Sequence, residues 1–358
     1  MVRNADRPYP RHPVRSFLAP LAFVGAAAIA LSACDSQFLP TAARVDGAFV
    51  TQSSLNSALD SVASDSGYRC LLETSAGNAH AVTGVSNGTY NASFAAGALS
   101  LLIEAKAADA VAARDHLAVG SLARQVADDE LTTSFTPTSG SACTESGAEV
   151  LATLGPRFRD ALVSLQADQD VLAAHSLGAV LTPAGVSAYA QRHPSEIALD
   201  CTEAIEVASR SKAQQLATAI RGGASFAVVA RANSIDASSS RGGALGCITP
   251  SGLTSPLGGI VSSLAVGELT APIHFAGDWI LLEVTGRRAP TLSQAAAAIV
   301  HDGTAAASRA LSAAVSGAHV EVDPRYGTWT KVGATYEVKA PHSPSLDLLP
   351  NPSAVGAK

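Results

Sequence analysis

Chemistry in this chain has few places to start, and the first is the run NSIDASSSRGGALGCITPSGL, residues 233–253. Asp236, two residues after Ser234, is a carboxylate in a serine- and glycine-rich stretch. It is either a group that acts on something bound beside it or a cap for the loop, a local role aspartate often takes. Four further candidates are Cys70, Cys143, Cys201 and Cys247. They form no Cys-x-x-Cys pair and have no histidine at ligand spacing, so neither a metal nor another cofactor is expected. An even number favours disulfides, which can connect in three ways. Pairing by halves gives Cys70 with Cys143 and Cys201 with Cys247; free buried thiols are the alternative. Serine, histidine and aspartate occur, but no GxSxG, P-loop or HExxH pattern gathers them, leaving hydrolase and nucleotide chemistry without a motif. Asn87-Gly-Thr and Asn91-Ala-Ser are formal glycosylation sequons only.

These groups sit in a chain of 358 residues, long enough for two or three compact domains. It is 47% hydrophobic but only 5% aromatic and 15% charged, which suits an alanine-rich helical protein and argues against general disorder. A net charge of -6 excludes nucleic acid as an expected partner, because phosphate binding needs a basic surface. The one cluster of basic residues is at the start, where Arg3, Arg7, Arg11 and Arg15 precede FLAPLAFVGAAAIALSAC, ending at Cys34. A basic flank, an apolar run and small residues describe a secretory signal. Its LSAC ending resembles the lipobox of bacterial lipoproteins. The resemblance implies a lipidated Cys34 that holds the mature chain on the outer face of the bacterial cell membrane; an ordinary cleaved signal and an uncleaved anchor are the alternatives.

The elements that must hold Asp236 and the cysteines read as follows. Two short strands meet at an Asp46-Gly47 turn, and Thr51 or Ser53 caps a helix carrying Leu55, Leu59 and Val62. A Gly/Asn/Ser-rich loop near 84–92 leads to a helix with Leu99, Leu102, Ile103 and Ala107 on one face. Helical patterns continue to His193, the last begun by Thr182 and Pro183. Near residue 195 the pattern changes to strand, helices, strand, helix, strand, an α+β unit ending in WILLEV. A helix and a strand with a turn follow, and the proline-rich end reads as disordered.

Several blocks in order carry a resemblance: AIRGGASFAVVARANSIDASSSRGGALG, LAVGELTAPI and GDWILLEV. The chain resembles a parvulin-type (PpiC) peptidyl-prolyl cis-trans isomerase domain within a SurA/PrsA-like extracytoplasmic folding-factor lipoprotein. The family's blocks read approximately Gly-x-x-Phe, Ser-x-Asp, Gly-Gly-Asp-Leu-Gly, Val-Gly-Glu with a following proline, and Gly-Tyr-His-Ile. The resemblance implies rotation of X-Pro bonds, whose barrier is about 18–20 kcal/mol and whose uncatalysed exchange can limit folding. It places Asp236 at the family's Cys/Asp position, and Leu253 and Leu257 in the slot for the proline ring. The two family histidines fall on Ala204 and Trp279, and the aspartate of the glycine block falls on Ala244. Trp279 is then packing, or an indole that stacks on a client proline. His274 reads as an exposed histidine of the loop entering the last strand, within swinging distance of Asp236. Glu203 and Glu206 read as solvated charges.

The implied architecture is α+β. A signal with lipobox occupies 1–34, a mainly helical SurA-like chaperone domain 35–194 and a parvulin-like (FKBP-like) domain 195–288. A helix and strand over 289–335 return to complete the helical domain, and 336–358 form a disordered tail. The implied function is a folding factor acting on X-Pro bonds of unfolded exported proteins. The alternative is a peptide-binding holdase that keeps the fold without isomerase activity. A structural envelope lipoprotein is the third reading.

Overall fold

The computed structural model describes residues 40–341, except 85, 87, 139, 254 and 255, and the backbone of 348–350. Cys34, its signal segment and the sequon asparagine at 87 lie outside the described residues. Strands β1 (Thr41–Val45) and β2 (Ala48–Thr51) pair about the Asp46–Gly47 turn. Helices α1 (Gln52–Ser64) and α2 (Ser66–Ala76) follow, capped by the side chains of Thr51 and Asp65. Short β3 (Thr89–Asn91) precedes α3 (Ala92–Arg114), α4 (Ser121–Ser134), α5 (Gly147–Thr153), α6 (Pro156–Ser176), α7 (Pro183–Arg192) and α8 (Pro194–Ile197). Thr182 accepts from Gly185 N–H and Pro183 opens α7, as the Thr-Pro pair predicts.

The chain then builds a second sheet from β4 (Leu199–Val207), α9 (Arg210–Arg221), α10 (Phe226–Asn233), β5 (Ala244–Ile248), α11 (Leu257–Ser263), β6 (Ile273–Phe275) and β7 (Asp278–Arg288). Its order is β5-β4-β7-β6 and every pairing is antiparallel. Beyond it come α12 (Leu292–Gly317), β8 (Val320–Val322), β9 (Thr328–Val332), β10 (Thr335–Lys339) and β11 (Leu348–Pro350).

One apolar core joins the two ends of the chain. Leu99 and Ile103 of α3 and Val171 of α6 pack with Ile299 of α12, while β8 pairs with β1. Alanine richness permits this closeness. A Cβ on Gly303 of α12 would stand 2.1 Å from the Ala173 carbonyl oxygen of α6, so only glycine fits that crossing.

Three expectations need correction. The tail is not disordered from 336: β10 pairs with β9, and buried Val338 donates its N–H to Ser100 Oγ at 2.8 Å. Composition missed it because the alternation of Tyr336 and Val338 is only one period long. The segment 84–92 is not all loop, since β3 pairs with β11. His274 lies in strand β6 rather than in a loop.

Candidate functional site

The four-stranded sheet has two unlike faces, set by the two-residue alternation of its strands. Toward α9 and α10 point Ile205, Val207 and Leu281, which pack on Leu216, Ala217, Phe226 and Ala230. Toward α11 point Ala204, Ile280, Leu282 and Val284, which pack on Leu257, Val261 and Leu264. The doubled glycine locks β5 to this sheet. Gly243 has φ +86° and its Cβ would stand 2.4 Å from the Ala204 carbonyl oxygen, while its own carbonyl accepts from Ala204 N–H at 2.8 Å. The glycines therefore build the turn and take no part in chemistry.

On the α11 face, Leu257 is buried core, whereas Leu253 is half-buried beside Leu245, Ile273 and Phe275. These four are half-buried apolar side chains at the rim of the core under α11. Arg287 fixes α11 over the sheet. Its Nε bonds buried Asp200 at 2.7 Å, and its Nη2 donates to the carbonyls of Val261, Ser262 and Leu264 at 3.2, 3.0 and 2.7 Å. A guanidinium at a helix C-terminus satisfies carbonyls that the helix leaves open.

Carboxylates gather at the end of β4. Asp236 caps the 3-10 turn Ala237–Arg241, accepting from Ser238 N–H at 2.7 Å and from the Ser238 hydroxyl. That hydroxyl, with backbone N–H groups, holds Asp236 below the usual carboxylate range against a partial burial penalty. Glu206 is tied to the same segment, since Ser234 Oγ accepts its N–H at 3.0 Å and its carbonyl accepts from Ile235 N–H at 2.9 Å. Burial pushes Glu206 up, and the charges of Asp278 and Asp236 push it further, with Asp278 in hydrogen-bonding reach. The two carboxyls are thus shifted in opposite directions, Asp236 down by its Ser238 bonds and Glu206 up by burial and its acidic neighbours. Sequence reasoning read Glu206 as a solvated charge and passed over Asp278, because nothing in the local pattern brings β4 and β7 together.

The residues named from sequence do not all meet. Leu253 and Leu257 do, and Asp236, in the turn after α10, lies near Glu206 at the end of β4. Trp279 does not: it packs on the α9 side, with Arg210 5.4 Å above its ring and the His274 ring 5.1 Å away. His274 pairs with Trp279 across β6–β7 and is committed there, away from Asp236. Ala204 lies beneath α11, whereas Glu203, one residue earlier, faces Glu283 on Trp279's side. Glu203 is raised by burial, then by Glu283, and lowered by Arg231. It is therefore not a freely solvated charge. Bonds join Cys201 to Cys247 across β4–β5 and Cys70 to Cys143 between α2 and the loop before α5.

Comparison with known proteins matches residues 194–286 to the rotamase family, described as a PPIC-type PPIASE domain. The chain is 33% identical over 105 residues to the chaperone SurA of Thiobacillus denitrificans, covering 29% of this chain and 24% of that protein. It is 38% identical over 71 residues to the chaperone SurA of Aromatoleum aromaticum, covering 20% of this chain and 16% of that one. The matched stretch thus spans no more than about a quarter of these relatives' length. Among solved structures, peptidylprolyl isomerase (PrsA) from Bacillus anthracis is similar with a TM-score of 0.33 and 16% identity, covering 60% of this chain and 96% of that one. Residues 194–286 thus match a PPIC-type PPIase domain, and over part of its length the chain is similar to the SurA chaperones.

Proposed function

We propose that this protein is an extracytoplasmic folding factor that binds X-Pro segments of unfolded exported polypeptides on the α11 face of residues 194–286. One observation carries the reading. The half-buried lip of Leu245, Leu253, Ile273 and Phe275 adjoins a strand that ends in the Asp236–Glu206–Asp278 carboxyl group. An apolar slot would take the proline ring, and polar groups beside it would favour an amide losing its conjugation. The helical portion, 35–194 completed by 289–335, would hold the rest of the client. The similarity to proteins named chaperone SurA supports a folding-factor role. The LSAC sequence supports lipid attachment at Cys34, and Cys34→Ser should release the protein from membranes.

A second reading, a holdase without isomerase activity, is favoured by the commitment of Asp236 to Ser238 and by alanine at 204 and 244. A protease-free prolyl isomerisation assay on peptides varied before proline separates the two. Enhanced rates support the enzyme. Background rates with peptide binding retained support the holdase. Loss of both binding and aggregation suppression removes the proposal altogether.

A further inference from the structure

A cavity of about 210 Å³ lies far along the chain from the sheet just described, between α6, α12 and the β9–β10 hairpin. Its lining has an unusual balance. Glu104 and Asp170 contribute carboxyls, and no lysine, arginine or histidine lines it. Asp170 is only 1% exposed, and among the described residues no donor reaches its Oδ2, with the Glu130 carboxyl in side-chain hydrogen-bonding reach of Asp170. Its Oδ1 accepts from Gln166 Nε2 at 2.9 Å, while the same amide donates to Glu130 at 2.7 Å, so Gln166 has no proton left for Oδ2. Ala173, Leu311 and Val315 supply an apolar wall. Tyr336 closes one side, its ring held by stacking on Trp329 at 6.0 Å.

Unpaired carboxyl oxygen, apolar wall and an aromatic ring, with no cation of the protein's own, form one recognisable combination. The carboxyls call for a positive charge and hydrogen-bond donors. The ring adds a cation–π surface. The wall suits a methylene stem. An anion would meet two carboxyls, and a purely apolar group would leave Asp170 unpaired.

We propose that this cavity is a cation site that takes a primary ammonium or guanidinium on an apolar stem, the group a lysine or arginine side chain presents. The polypeptide as source rests on the holding role proposed for the helical portion; the cation site itself does not. Occupancy ionises Asp170, so binding releases a proton. The groups facing it are Glu130 on α4, Glu104 on α3, Gln166 on its own helix and Tyr336 on β10, with His301 on α12 acting on Glu130. Burial and then Glu130 hold Asp170 up at about 8.

The test is calorimetric, on the full chain, with a short end-blocked peptide carrying one arginine. Its citrulline counterpart, equal in shape and uncharged, should bind about tenfold more weakly or worse, the scale of one charge-assisted bond. Asp170→Asn should lose about as much, since the amide cannot ionise. Wild-type affinity should rise between about pH 6 and about pH 9, and the variant's should not. Glu104→Gln serves as a second variant if Asp170→Asn fails to fold. Equal binding of the arginine and citrulline peptides, or no binding of either peptide or of hexylamine, overturns the site. Binding of hexylamine without the arginine peptide keeps the cation site and overturns the polypeptide source. Isomerisation rates bear on the X-Pro reading alone, so the two failures are distinguishable.

Discussion

Ala204 and Trp279 lie on opposite faces of one sheet, the first beneath α11 and the second beneath α9. Two side chains that share a hydrogen-bond network must share a face, so these positions cannot jointly rebuild one. Glu203, like Ile205 and Val207, is on Trp279's side of β4. Ala204→His should therefore gain no isomerase activity. It should also destabilise the domain by ~1–3 kcal/mol, because Ala204 is packed at 7% exposure with no room for a ring. Isomerisation assays and melting curves on the variant check both halves.

Leu253 and Leu257 have separable roles. Leu257 is core, and Leu257→Ala should cost ~2–5 kcal/mol of stability. Leu253 is half-buried at the lip, so Leu253→Asp should leave melting nearly unchanged while abolishing binding of a proline peptide. Equal loss of stability from both substitutions would show that no slot exists.

Arg287 is the clamp on α11. Arg287→Ala leaves Asp200, 1% exposed, without its cation and three helix-end carbonyls without a donor. The expected loss is ~3 kcal/mol or more by denaturant titration, with proline-peptide affinity falling as α11 loosens. Arg287→Lys should recover only part, because one ammonium cannot span both groups.

Two buried carboxyls of α6 set the pH dependence. Asp168 is raised to about 7 by burial and Asp109, and Asp170 to about 8 by burial and Glu130. In the unfolded chain each titrates near ~3.9. Raised folded values mean that the unfolded state loses its protons first. Their contribution is complete below about pH 4 and drains away as pH rises toward about 7 and 8. Asp170→Asn should raise the melting temperature at pH 8 and flatten its fall between pH 4 and 8. A melting temperature that rises over that range in wild type would contradict this.

Much of the sheet was legible, because its signals are local. The glycine turn, the Thr182–Pro183 start and the alternation of β4 and β7 each occupy a few adjacent residues. The cavity at Asp170 was not legible: its walls come from α3, α6, α12 and β10, and no pattern in sequence links residue 104 to residue 336. The histidine positions show how a period of two magnifies small errors. A shift of one residue along β4 exchanges Ala204 for Glu203 and one face for the other. Similarly, His274 was readable as a histidine near Trp279 but not as its cross-strand partner.

The pairing of Leu199 with Arg288 has a consequence for biogenesis. Both ends of the sheet unit leave side by side, and the helical core waits for α12 and β8 to arrive from beyond it. A chain delivered from its N-terminus thus finishes the sheet first, while α3 and α6 stand with their alanine faces uncovered. The protein therefore passes through an interval in which the apolar faces of α3 and α6 lack their α12 cover.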